Sequence, residues 1–326
     1  MKVFDLHCDT LSELRRGKVE GSPLSFSSSP LMIDLKKLQE GDYLLQCFAC
    51  FVDLAREDNP LSACLEMVDV FYELLADYPS LMQVKSPEDL RVLPSSGKIG
   101  AMLTVEEGGV CLGKEEILRD LYRLGVRMMT LTWNHENELA YPNQVPGQIH
   151  NLWPSTPETE KGLKEAGYAF LSEMERLHMI VDVSHLSDKG IWDVLSVSTR
   201  PFAASHSSAR ALCAHPRNLP DEMIRAMAEK GCLIGVNYCP SFLTEEDPPV
   251  SRMRDIVAHA RHILKVGGED ILALGSDFDG ITGELEVKDA SCMPLLAEAF
   301  LKDGFTPREV EKIFYQNALR FFTENL

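Results

Sequence analysis

IGAMLTVEEGGVCLGKEEILRDLYRLGVRMMTLT, residues 99–132, contains one complete unit of the fold. Residues 99–105 form a nearly continuous apolar run, the pattern of a parallel strand covered on both faces. Residues 115–124 then space their apolar side chains at helical intervals, and 126–132 return to a strand-like run. Outward from this unit the same alternation repeats. Further strand-like runs lie at 3–7, 44–52, 179–183, 202–205, 232–237 and 271–275, which brings the total to eight. Helical patterns lie between most of them, at 61–76, 161–177, 188–195, 221–229 and 253–266. Residues 294–303 and 307–324 read as closing helices, the second capped by Thr306 ahead of Pro307. Eight βα units without a Gly/Ser-rich linker or a break in composition predict a single α/β domain over 1–326, a (β/α)8 TIM barrel; an open doubly wound sheet is the alternative. The longest irregular stretch, 134–160, is rich in Pro, Asn and Gly, and loops of that length are more often functional than idle.

The composition narrows the partners. With 326 residues, 45% of them hydrophobic and 25% charged, the chain is a folded protein and not a disordered one. Its 32 basic and 50 acidic residues give a net charge of −18, which repels phosphate backbones and anionic lipid, so neither nucleic acid nor membrane is an expected partner. No run reaches the roughly 18 apolar residues of a membrane span, and Met1–Asp9 lacks the charged and apolar regions of a secretory signal. Nine cysteines scattered through apolar runs read as reduced, buried thiols. The expected location is cytoplasmic. Cys47 and Cys50 form a C-x-x-C, but inside a buried-strand run, where redox chemistry is not expected.

Polar residues of one kind gather at strand ends. His7 and Asp9 close the first strand, two apart and so on one side of it. Glu106 follows AMLTV, His185 follows MIVDVS, His206 follows FAAS and Asp277 follows ILALGS. In a barrel these ends share one mouth, where the active site is built. Three imidazoles with carboxylates match the ligand set of zinc and related divalent metals. Of the other histidines, His178 precedes its strand and reads as structural, while His259 and His262 read as a solvated helix face. His150 and His215 are loop residues without an assigned role, and His135, after the fourth strand, is either a substrate contact or part of the loop structure. Gly108 and Gly109 let the backbone turn beside Glu106; the spacing of a phosphate-binding loop is absent.

FDLHCDT, TVEEGG, LGVRMMTLTWN, IVDVSHLSD, SHSSARALCAHPRNLPDE and GSDFDG occur in this order along most of the chain. In these motifs the sequence resembles the membrane dipeptidase (renal dipeptidase) family of zinc peptidases, as a soluble bacterial-type member. The resemblance implies a barrel of the metal-dependent hydrolase type that binds two Zn2+ per chain, or other divalent metals. It also implies hydrolysis of free dipeptides, including those with a D-residue at the C-terminal position; the alternative substrate is another small amide, lactone or N-acyl amino acid. By the same resemblance His7 and Asp9 hold the first zinc, His185 and His206 the second, and Glu106 bridges them. Asp277 is the acid/base and Arg217, in HPRN, binds the substrate carboxylate. Asp279 is expected to fix the turn that follows. Relatives are commonly dimers, so a homodimer is expected. The chain departs from the family pattern at two places. The usual Glu-Gly-Gly is Glu106-Glu107-Gly108-Gly109, where counting to LTLT selects Glu106 and leaves Glu107 as the alternative. Where many relatives have a substrate-contacting histidine, this chain has Trp133, then Asn134 and His135, which makes His135 the candidate substrate-binding residue.

Overall fold

Eight parallel strands close on themselves in the computed structural model, which describes residues 1–145 and 155–326. They are β1 (Val3–Asp5), β2 (Tyr43–Phe51), β3 (Ile99–Glu106), β4 (Val126–Thr130), β5 (Ile180–Asp182), β6 (Ala203–Ala204), β7 (Leu233–Val236) and β8 (Leu272–Leu274). Each pairs with the next in sequence, and Asp5 opposite Leu274 joins β8 back to β1, so the sheet is a ring with no open edge. The expected (β/α)8 barrel is therefore present and the open sheet is excluded. The short strand Leu81–Gln83 adds outside the ring, against the start of β3.

A helix follows every strand: Thr10–Val19, Pro60–Asp77, Glu115–Arg123, Glu165–Leu177, Asp188–Val197, Asp221–Glu229, Met253–Gly267 and Met293–Lys302. The fourth starts four residues later than its periodicity predicts, because residues 161–164 are tied to neighbouring loops. The Ser187 hydroxyl donates to the Lys161 carbonyl, and the Leu163 N–H donates to Asp193. The last helical run begins at a capping box, in which Thr306 Oγ1 accepts from the Glu309 N–H and the Glu309 carboxylate accepts from the Thr306 N–H. It continues through a π-helical turn, Lys312–Gln316, into Asn317–Asn325.

Strand alternation divides the core into two layers. Phe4, Leu45, Cys47, Met102, Met128, Ile180, Leu233 and Ala273 fill the barrel, and Phe321 and Phe322 of the last helix plug its lower end, Phe322 stacking on Phe4 at 5.4 Å. Phe48, Cys50, Val181, Val183 and Ile234 belong to the outer layer, packed under the helices. Cys47 and Cys50 thus lie on opposite faces of β2, and burial raises both thiols well above the ordinary range. With the lower end apolar, the polar groups of the strands collect at the C-terminal mouth. Glycine is required where β6, β7 and β8 crowd together there. A Cβ on Gly235 would stand 2.0 Å from the Ser205 carbonyl oxygen, and one on Gly275 would stand 1.9 Å from it.

Candidate active site

The β1, β3, β5, β6 and β8 ends place His7, Asp9, Glu106, His185, His206 and Asp277 together, all buried. Glu106 stands at the centre with its two oxygens pointing to different neighbours. Its Oε2 is 3.1 Å from His7 Nε2, while its Oε1 is 2.9 Å from His185 Nε2 and 3.4 Å from His206 Nε2. Asp9 Oδ2 and Asp277 Oδ1 lie 3.6 and 3.9 Å from His7 Nε2. The His7 and His206 rings stack at 4.0 Å. Three groups, His7 with Asp9 and Glu106, Glu106 with His185 and His206, and His7 with His206 and Asp277, keep their ligand atoms within 4.8 Å of one another.

The donor set fits divalent metal. His185 Nδ1 lies 2.9 Å from Asn134 Oδ1, and Asn143 Nδ2 donates to that same oxygen, which marks it as the acceptor. The His185 proton therefore sits on Nδ1 and leaves a lone pair on Nε2. That nitrogen is 2.9 Å from His206 Nε2 and equally close to Glu106 Oε1, so electron pairs converge on a space suited to a cation. Across the cluster, His7 Nε2 and Asp9 Oδ1 are buried without a hydrogen-bond partner among the described residues. The electrostatics agree. Burial, then the charge of Arg217, lowers His185 to about 3, and burial with the charge of His7 takes His206 well below the ordinary range, so both stay neutral ligands. On His7 burial is outweighed by Glu106 and Asp9, and its pKa rises well above normal. Burial raises Glu106, but the charge of His7 outweighs it and holds the carboxyl well below its ordinary range. Gly280 makes room for this cluster, since a Cβ there would stand 2.0 Å from Asp9 Oδ2 and 2.6 Å from Asp277 Oδ1.

Backbone strain concentrates at the same place. His185, Asp277 and Asp279 have φ of 69°, 64° and 65°, and Glu107 has φ of 103°. Such conformations cost about 1–3 kcal/mol each in non-glycine residues and persist where surrounding structure imposes them. Glu107 faces away from the cluster and accepts from the Gly109 and Trp133 N–H groups and from Asn137 Nδ2; burial pushes its pKa to about 7. It braces the loop that carries Trp133 and Asn134. Asp279 also turns away. It clasps Thr10 Oγ1 and the Met32 and Ile33 N–H groups, joining distant segments where the sequence suggested only a local turn.

Arg217 is buried beside the cluster. It donates to the His206 carbonyl oxygen at 3.0 Å and to Ser207 Oγ at 3.3 Å, and its guanidinium lies 5.4 Å from the Phe242 ring centre. Its Nε has no hydrogen-bond partner and the side chain no ion pair among the described residues. A buried guanidinium in this state suits an incoming carboxylate. His135 sits at the rim, 3.0 Å from Asp53 Oδ1, whereas Trp133 stands between Phe51, at 4.8 Å, and His185, at 6.1 Å.

Several supporting residues escaped the sequence reading. His215 is buried; its Nδ1 accepts from the Arg217 N–H and its ring packs on Phe242. His259 is buried and not solvated as expected, accepting from the Ala209 N–H and donating to the Leu243 carbonyl, so it fastens the loop that bears Arg217. His262 does lie at the surface, paired with Asp221, and His178 caps a helix end with positive φ. His150 lies outside the described residues. Asn134, Asp182 and Asn237 were also passed over. Asp182 carried a usable signal, an acid inside an otherwise apolar strand run; Asn134 and Asn237 carried none without the fold.

A closed parallel barrel with imidazoles and carboxylates at its C-terminal mouth defines the metal-dependent hydrolase class. The family model described as Membrane dipeptidase (Peptidase family M19) matches residues 1–325, and the chain belongs to this family. Dipeptidase tcpJ of Claviceps purpurea is 30% identical over 304 residues, 90% of this chain and 69% of that protein. An uncharacterized dipeptidase of Schizosaccharomyces pombe is 31% identical over 338 residues, 98% of this chain and 79% of the relative. The crystal structure of dipeptidase AC, a metallo peptidase of the same family, superposes with a TM-score of 0.90 at 25% identity, over 100% of this chain and 98% of the other. A metallo peptidase from Rhodobacter sphaeroides, solved with a phosphinate mimic of L-Ala-D-Ala, has the same fold, with a TM-score of 0.90 at 24% identity over 100% and 99% of the two chains. The protein is thus a peptide-bond hydrolase, a dipeptidase of a metallopeptidase family. Among the described residues no helix is long and apolar enough to cross a membrane.

Proposed function

We propose that the protein hydrolyses free dipeptides at a binuclear zinc centre. His7 and Asp9 hold one ion, His185 and His206 the other, and Glu106 bridges them. The observation that carries this reading is the split orientation of Glu106, one oxygen toward His7 and the other toward the His185–His206 pair. Divalent metals in such a pocket supply water activation at neutral pH and polarisation of the scissile carbonyl.

The chain's own residues supply the rest. Asp277 turns Oδ1 toward the cluster while Asn237 donates to its Oδ2 at 3.0 Å, so one oxygen is anchored and the other takes the proton of the attacking water. Burial, partly offset by His7, raises Asp277 to about 6, the range of a group that must both accept a proton and return it to the leaving amine. Arg217 pairs with the free C-terminal carboxylate, which limits substrates to short peptides with an unblocked end. Acceptance of a D-residue at that end belongs to the same reading, as do a homodimer, resting on the family resemblance, and a cytoplasmic location, supported by nine free cysteines of which eight are buried.

Arg217→Met should weaken binding of free dipeptides by about 2–4 kcal/mol, roughly 30- to 700-fold in KM. C-terminally amidated dipeptides should be poor substrates of the unaltered enzyme. Steady-state rates on matched free and amidated pairs test this, and equal rates would remove Arg217 from the carboxylate role.

A further inference from the structure

We infer that Asp182 and Ser205 are positioning residues that fix His206 in the one tautomer able to bind metal. Asp182, at the end of β5, shares the barrel interior with Ile180 and is fully shut off from solvent. Its Oδ1 accepts the N–H groups of Ser184, at 3.0 Å, and Ser205, at 2.9 Å. Its Oδ2 accepts the Ser205 hydroxyl, and Ser205 Oγ in turn lies 2.7 Å from His206 Nδ1. Ser184 Oγ accepts the His206 N–H at 3.1 Å and holds the backbone of the same residue.

Counting protons decides the direction of this chain of contacts. A carboxylate cannot donate, so the single Ser205 proton goes to Asp182. The oxygen then offers His206 only lone pairs, and Nδ1 must carry the imidazole proton. Nε2 is left unprotonated, facing Glu106 Oε1 and His185 Nε2. The two imidazoles differ in how they are backed. Behind His185 stands the uncharged amide of Asn134, whereas behind His206 stands a carboxylate acting through one hydroxyl. Negative charge at that distance raises the basicity of the imidazole and tightens its hold on metal, so His206 is the stronger donor of the pair. The sequence records this arrangement as an acid inside the apolar run MIVDV and a serine immediately before His206.

The inference rests on the assignment of His206 as a metal ligand. Its test is Ser205→Ala, which removes the hydroxyl and leaves both N–H groups on Asp182. Zinc is titrated into metal-free wild type, Ser205→Ala, Asp182→Asn and His206→Ala under chelator competition, and thermal unfolding is followed on the metal-free forms. Ser205→Ala should weaken one of two ions about 10- to 100-fold, leave the other unchanged and keep the metal-free melting temperature. Asp182→Asn should weaken the same ion. In zinc-loaded wild type a His206 Nδ1–H resonance should be visible by NMR, and it should exchange away in Ser205→Ala. If Ser205→Ala binds both ions as tightly as wild type, the positioning role is refuted and the proposed function stands. If both ions weaken equally while the metal-free protein loses stability, Ser205 is only structural and the inference fails. If His206→Ala binds zinc as wild type does, both the inference and the ligand assignment fall.

Discussion

Asp277→Asn is expected to keep about two metals and a near-normal fold while kcat falls roughly 100-fold or more, the scale of losing a positioned general acid/base. Asparagine matches aspartate in shape and still accepts the hydrogen bond from Asn237, but it cannot take up and return a proton at neutral pH. Asp279→Asn is the control. Its carboxylate is committed to Thr10, Met32 and Ile33, so its loss should act on stability, by about 1–3 kcal/mol, with a smaller effect on kcat. Metal content measured beside turnover gives the test its force, because a carboxylate oxygen of Asp277 also lies within 4.8 Å of the ligand nitrogens of His7 and His206. A variant that loses its metals together with its activity makes Asp277 a ligand, and one that retains wild-type kcat makes it dispensable.

His206→Ala should abolish dipeptide hydrolysis and lower the bound metal from about two ions toward one. The imidazole is fully buried, and its Nε2 lies 2.9 Å from His185 Nε2 and 3.4 Å from Glu106 Oε1, so alanine removes a nitrogen donor from the middle of the cluster. A closed zinc site needs about four ligands, and removing one from a pair that shares Glu106 leaves the second ion under-coordinated. Elemental analysis of the purified variant beside the wild type measures the loss. Retained stoichiometry with full turnover would exclude His206 from the centre.

Local patterns in the sequence account for what was legible. Each barrel strand is an apolar run between turn signals, and the polar residue that ends the run sits at the mouth because all eight strands are parallel. His7, Glu106, His185, His206 and Asp277 were found in this way, although they span the chain. Supporting residues depend on contacts that spacing does not encode. Asn134 is 51 positions from the imidazole it orients, and His259 is 50 from the backbone it holds. His135 drew attention as a histidine near a strand end, yet its neighbours Trp133 and Asn134 are the ones beside His185, while its own ring pairs with Asp53. Counting along the family's pattern favours Glu106 over Glu107, but the reason for two adjacent acids is three-dimensional. One faces the imidazoles, and the other, at φ of 103°, holds the loop above them.

Zinc titration of the metal-free enzyme against hydrolysis of a free dipeptide tests the binuclear centre most directly. Turnover should be absent without metal, rise as zinc is added and saturate at about two ions per chain, with five ligand-type residues present where one closed site needs about four. Full turnover by metal-free protein in the presence of chelator, or saturation at about one ion per chain, would contradict a centre bridged by Glu106.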